Sequence, residues 1–215
     1  VPGSGLGSSA ASAAGTTFGL NKMFGLGYSL KELVGLAAKG EVVSAGVEHA
    51  DNVAAALFGG FTLVHGTRVV AFRPVGIGIV AVLPDLVVNT RDARAILPQS
   101  ISLEDFVFAV GSASMMVVGM MRNDLKLIGE CMKNHAIESV RARLIPGYVD
   151  VRDSALNAGA TGVAISGSGP AMIAVCALDK REEVAPAMVD AFARNGVDSA
   201  VFMTTVGRGV VILEK

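Results

Sequence analysis

The chain has 215 residues, 52% of them hydrophobic, which suffices for one large globular unit or two small domains sharing an interface and excludes a disordered tail. Its formal net charge of −1 and isoelectric point near 6.3 supply none of the basic surface that a phosphate backbone requires, so no nucleic-acid partner is expected. Only 17% of residues are charged, against roughly one quarter in an average soluble domain, which implies apolar surface covered by a second subunit or by a further piece of protein.

Val1 is followed at once by a Gly/Ser-rich stretch with no strand before it, so a segment upstream is expected to be missing from this sequence. Residues 8–23 are Ala-rich and follow a proline and three glycines, the pattern of a helix entered directly from a loop. Ser29 with Glu32 forms a capping box that predicts a second helix over 30–39, with Glu41 just beyond its end. A third helix is expected from near His49 to Phe58. The period then changes: 61–65 and 68–73 flank Gly66 and Thr67 as a hairpin, and 77–83 is another strand. Gly76-Ile77-Gly78-Ile79-Val80-Ala81 matches a dinucleotide-binding pattern in letters only, because it lies inside an apolar strand and opens no helix.

A short helix is expected over 90–97. Ser102 with Asp105, a second capping box, then opens a long apolar helix to Met121. The run 106–121 is short for a membrane span and reads as a buried core or dimer-facing helix, with Met115, Met116, Met120 and Met121 as core filling. Helices over 124–134 and 148–158 follow, the latter closed by Gly159. The remainder alternates strand 162–165, strand 171–177, helix 182–195, and strands 198–205 and 209–213. This is an α+β order without repeats, and the domain seam is expected near Gly66, where helices give way to strands. Cys131 and Cys176 belong to no CxxC or Cys/His cluster and are expected to be reduced structural thiols in a cytoplasmic protein without a secretory signal.

Two glycine-rich strings carry the chemistry. In Pro2-Gly3-Ser4-Gly5-Leu6-Gly7-Ser8-Ser9-Ala10-Ala11-Ser12, alternate glycines let main-chain N–H groups turn toward an anion, and the helix behind points its positive end at the same place. No Gly-Lys-Ser/Thr occurs, so this is not a Walker A loop. In Gly162-Val163-Ala164-Ile165-Ser166-Gly167-Ser168-Gly169-Pro170, an apolar strand runs into a turn whose bare backbone can approach the first loop. The first string resembles the second sequence motif of the GHMP small-molecule kinases, and the second resembles their third motif. The family's first motif is absent. Three further strings resemble the homoserine kinases of that superfamily: His49-Ala50-Asp51-Asn52-Val53-Ala54, Asn89-Thr90-Arg91-Asp92-Ala93-Arg94 and Arg141-Ala142-Arg143-Leu144-Ile145-Pro146-Gly147.

The resemblance covers essentially the whole chain and implies a two-domain α+β GHMP kinase fold. Residues 1–66 would be the remainder of an N-terminal nucleotide-binding domain like ribosomal protein S5 domain 2, and 67–215 a ferredoxin-like C-terminal domain. It implies ATP-dependent phosphorylation of the side-chain hydroxyl of L-homoserine, a step toward threonine. The alternatives are another GHMP kinase, such as a mevalonate or shikimate kinase, and a non-catalytic metabolite-binding relative. ATP would be held by Pro2, Gly3, Ser4, Gly5, Leu6, Gly7, Ser8, Ser9, Ala10, Ser12, Gly167, Ser168 and Gly169. The Ser9 hydroxyl and the Glu41 carboxylate would hold Mg2+, a hard cation that takes oxygen ligands.

The resemblance also assigns substrate contacts to His49, Asp51, Asn52, Thr90, Arg94, Arg141 and Gly167. Arg94 and Arg141 would grip the carboxylate, which a guanidinium binds through two parallel hydrogen bonds, with Arg91 and Arg143 as substitutes. Asn52 stands where many GHMP kinases are thought to place an aspartate base. An amide cannot take the hydroxyl proton, so the implied reaction relies on alignment and electrostatic stabilisation. Asp51 is the rival base, but an adjacent helical side chain points about 100° away. The expected partners are small-molecule substrates and a second copy of the chain, with no membrane.

Overall fold

The structure is a computed structural model and describes residues 3–45, 49–86, 88, 93, 95–132 and 135–213. It divides into two compact units: Gly7–Arg73 with the tail from Val206 on, and Gly3–Leu6 with Pro74–Thr205.

The first unit holds α1 (Ser8–Met23), α2 (Leu30–Ala45), α3 (Ala50–Phe58), β1 (Phe61–His65) and β2 (Arg68–Phe72). The predicted capping box opens α2: Ser29 Oγ accepts from the Glu32 N–H at 3.4 Å, and Glu32 Oε2 accepts from the Ser29 N–H at 2.8 Å. The expected stop after Lys39 does not occur. Gly40 lacks the left-handed φ of a helix-ending glycine, and α2 runs on to Ala45, which puts Glu41 inside the helix. Packing explains the glycine: a Cβ on Gly40 would come 3.2 Å from the Cβ of Ala13, so α2 lies close against the alanine face of α1. Ala10, Ala14, Leu33, Val53, Ala54 and Leu57 form the buried core between the three helices.

Strands β1 and β2 pair antiparallel, with His65 opposite Arg68. The expected seam at Gly66 falls inside this hairpin, and the chain passes to the other unit between Arg73 and Pro74. Among the described residues the expected strand 209–213 is not formed. Arg208 makes an isolated bridge to Gly59, and the Val210 N–H reaches Leu57 O at 3.1 Å, but no strand pairs with the apolar residues that follow.

The second unit carries a four-stranded antiparallel sheet of β3 (Ile77–Pro84), β4 (Gly162–Ile165), β5 (Met172–Ala177) and β6 (Ser199–Thr205), in spatial order β4-β5-β3-β6. The helices are α4 (Leu103–Arg122), α5 (Leu125–Cys131), α6 (His135–Arg141), α7 (Tyr148–Asn157) and α8 (Arg181–Arg194). Four strands in this chain order and spatial order, with helices after the first and third, make the expected ferredoxin-like arrangement. Its core gathers Val80 and Val82 of β3, Met172 and Ala174 of β5, Val151 of α7, and Met188 and Phe192 of α8. Both neighbours of β3 are strands, so residues 77–81 of the dinucleotide-like pattern are sheet centre.

Two expectations change in this unit. Patterning gives no helix over 135–144, yet α6 forms there and continues into a 3-10 turn, Ala142–Leu144; its seven residues show no apolar period to read. The capping box of α4 forms, with Ser102 Oγ accepting from the Asp105 N–H at 3.0 Å, but α4 is not a buried core helix. Leu103, Phe106, Val107, Val110, Met115 and Met121 are exposed, and Gly119 is its only buried residue. Packing on α5, where a Cβ at Gly119 would come 3.1 Å from Ile128 Cγ1, covers one stripe only. Among the described residues α4 is the one helix long and apolar enough to cross a membrane by length and composition.

Candidate active site

Gly3, Gly5 and Gly7 take left-handed φ values of 72°, 79° and 75°, alternating with ordinary residues. This alternation turns successive N–H groups to one side of the chain, the geometry of an anion-binding nest. Gly7 is the N-cap of α1 and supplies no side-chain acceptor, so no side chain caps the first turn of that helix. Ser4 is 2% exposed, and its Oγ accepts from the Leu6 N–H at 3.2 Å, which fixes the loop from inside.

The second glycine string packs on residues 4 and 5, backbone against backbone. Ser166 Oγ donates to Gly5 O at 2.9 Å, and the Ala171 N–H donates to Ser4 O at 3.1 Å. A Cβ on Gly5 would lie 2.2 Å from Ser166 O, closer than any real side chain tolerates. Arg141, at the end of α6, donates from Nη1 to Gly167 O at 2.7 Å.

In the other unit, the close approach of α1 and α2 brings Ser9 to Glu41. The hydroxyl donates to Glu41 Oε2 at 3.2 Å, and Glu41 is 4% exposed. A buried carboxylate beside a hydroxyl at a helix N-terminus is an all-oxygen donor set. It fits a hard cation that keeps several waters, so the residues present suit Mg2+. On α3, Asn52 stands beside the loop: a Cβ on Gly7 would meet its Oδ1 at 3.9 Å. The neighbouring Asp51 is exposed, and its Oδ1 accepts from the Asn52 N–H at 2.8 Å, with His49 Nδ1 4.0 Å away.

The family model for the N-terminal domain of GHMP kinases matches residues 1–60, and that for the GHMP kinases C terminal matches residues 116–198. A homoserine kinase of Halorubrum lacusprofundi is 49% identical over 216 residues, covering 100% of this chain and 73% of the relative. The chain belongs to the homoserine kinase family of GHMP kinases. A second homoserine kinase, from Methanocella arvoryzae, is 48% identical over 214 residues, covering 100% of this chain and 71% of its own length. The crystal structure of homoserine kinase from Cytophaga hutchinsonii superposes with a TM-score of 0.92 at 39% identity, over 97% of this chain and 68% of that one.

Of the residues that the homoserine kinase resemblance singles out, the structure brings together Ser9 with Glu41, Asn52 with Gly7, and Arg141 with Gly167. Pro2, Thr90, Arg91 and Arg94 lie outside the described residues. Ala10 is buried in the helical core, so only its main chain could meet a ligand. The Ser12 hydroxyl donates back to Ser8 O at 3.1 Å, and Arg143 is exposed. Sequence reasoning missed Glu138, whose Oε1 accepts from the Ile165 N–H at 3.0 Å. Its spacing of three from Arg141 puts both on one helix face, a signal available only once α6 is recognised.

Proposed function

We propose that this chain transfers the terminal phosphoryl group of ATP to the side-chain hydroxyl of L-homoserine, giving ADP and O-phospho-L-homoserine. The observation that carries the reading is the Ser9–Glu41 hydrogen bond at the start of the helix that follows the glycine loop. The N–H groups of residues 3–7 and of the first turn of α1 receive the triphosphate. Ser9 and Glu41 would hold Mg2+, which supplies positive charge where phosphate oxygens gather. Ser168 and Gly169 close on the nucleotide. Arg94 and Arg141 grip the substrate carboxylate, with Arg91 and Arg143 as reserves, while His49, Asp51, Thr90 and Gly167 contact the rest. The N-terminal domain, counted to Arg73 so that the hairpin stays whole, supplies Ser9 and Glu41.

Asn52 orients the attacking hydroxyl and takes no proton; the proton leaves to the phosphate or to water in a loose transition state. Asn52→Ala is therefore expected to lower kcat by about tenfold or less, whereas loss of a true general base costs on the order of 10²–10⁴. A collapse of 10³ in steady-state kcat would sink this mechanism. The reaction itself is tested by coupled ADP release with L-homoserine and with mevalonate as acceptors. Homoserine-dependent release is expected, and release driven by mevalonate alone would overturn the substrate.

The protein is read as a cytoplasmic homodimer without membrane or nucleic-acid partners. The exposed apolar face of α4 supports the dimer, since a helix without a charged side chain from Phe106 to Met121 calls for cover. Val107→Glu is expected to convert a dimer to a monomer in sedimentation. A wild-type monomer, or one that binds lipid vesicles through α4, would refute that arrangement.

A further inference from the structure

We infer that Glu138 is a positioning residue for the glycine turn 166–169 and, through it, for residues 4 and 5 of the nucleotide loop. This rests on the function proposed above. Among the described residues, strand β4 lies at the edge of its sheet, with β5 as its one strand neighbour. Its last N–H, that of Ile165, is taken by Glu138 Oε1 at 3.0 Å, a charge-assisted bond to the residue just before the turn. One helical turn on, Arg141 Nη1 takes the carbonyl of Gly167 at 2.7 Å. Helix α6 thus fixes the turn on both sides of Ser166, once by an anion on an N–H and once by a cation on a carbonyl. Ser166 is buried and donates its hydroxyl to Gly5 O.

Tyr148 stands beside Glu138: burial, followed by this carboxylate, pushes the tyrosine hydroxyl well above its ordinary titration range. The Arg152 guanidinium sits over the Tyr148 ring, 5.8 Å from its centroid. A cavity of about 450 Å³, lined in part by Glu138, Tyr148, Arg152 and Val163, lies beside this group.

The test compares Glu138→Ala with Glu138→Gln. A glutamine keeps an oxygen that accepts the Ile165 N–H; alanine keeps none. Alanine is expected to weaken ADP binding, measured by calorimetry, and to lower kcat/KM for ATP, each by about tenfold, a fraction of the 10²-fold that an ångström of misplacement can cost. Glutamine is expected to stay within about threefold of wild type in both. A merely structural role would lower the melting temperature of the alanine variant while leaving ADP affinity unchanged, and that result would overturn the inference. So would glutamine failing as badly as alanine. ADP affinity does not depend on the acceptor, so a wild type that binds ADP without turning over homoserine would refute the function and leave Glu138 testable.

Discussion

Gly5→Ala is expected to lower kcat/KM for ATP by about 10²-fold or more while leaving a folded protein. Two costs add at this position. The backbone sits at φ 79°, where an L side chain is strained by roughly 1–2 kcal/mol. The new methyl would also stand 2.2 Å from Ser166 O and 2.9 Å from the Gly169 N, both main-chain atoms that move only if the turn moves. Relief by about an ångström of shift displaces the two glycine strings from each other, and misplacement of that size at a reacting group costs on the order of 10²-fold. Gly3→Ala isolates the first cost: its φ is 72°, and among the described residues a Cβ there meets nothing within 4 Å. Gly3→Ala should therefore lose far less activity than Gly5→Ala. Equal losses, with circular dichroism showing both variants folded, would mean that contact with the 166–169 turn is irrelevant to nucleotide binding.

Local chemistry explains which parts of this fold are legible in the residues alone. The capping boxes at Ser29 and Ser102 depend on side chains three positions apart, and both form where the letters put them. The hairpin across Gly66 and Thr67 and the limits of β4 are similarly local. Gly40 shows the opposite case: a glycine reads as a helix end, and only the neighbouring Ala13 reveals that it serves close packing. Val210, Val211, Ile212 and Leu213 have the composition of a strand without a partner to pair with among the described residues. Helix α4 has the composition of a core helix, but burial depends on neighbours that its sequence does not encode.

The site divides the same way. Alternate glycines predict left-handed backbone, and all three adopt it. That residues 4 and 5 meet Ser166 and Ala171 is a tertiary fact, reached in advance only by pairing two motifs through the family resemblance. Glu41 needs the resemblance too, because a place just beyond the end of the predicted second helix carries no signal of burial. In the structure it is buried within α2.

Burial makes Glu41 the position where a near-isosteric change should do most harm to turnover and least to folding. Glu41→Gln keeps the side-chain volume, and its Oε1 can still accept the Ser9 hydroxyl proton, but it withdraws the negative charge that would face a cation. With the proposed metal role, kcat is expected to fall by about 10²–10³, the range for loss of one preorganised electrostatic partner. The Mg2+ concentration for half-maximal activity should rise by about tenfold or more, since even weaker perturbations of metal sites cost 10–100-fold in affinity. Stability without metal should hold or rise, because a desolvated charge has been replaced by a neutral group of the same shape. Ser9→Ala removes the other oxygen, and as the two side chains are hydrogen-bonded their effects should be strongly non-additive in a double-mutant cycle. An unshifted Mg2+ requirement in both single variants would show that this pair only braces α1 against α2. Melting curves with and without Mg2+ separate the two cases, because a bracing pair predicts destabilisation whether or not the ion is added.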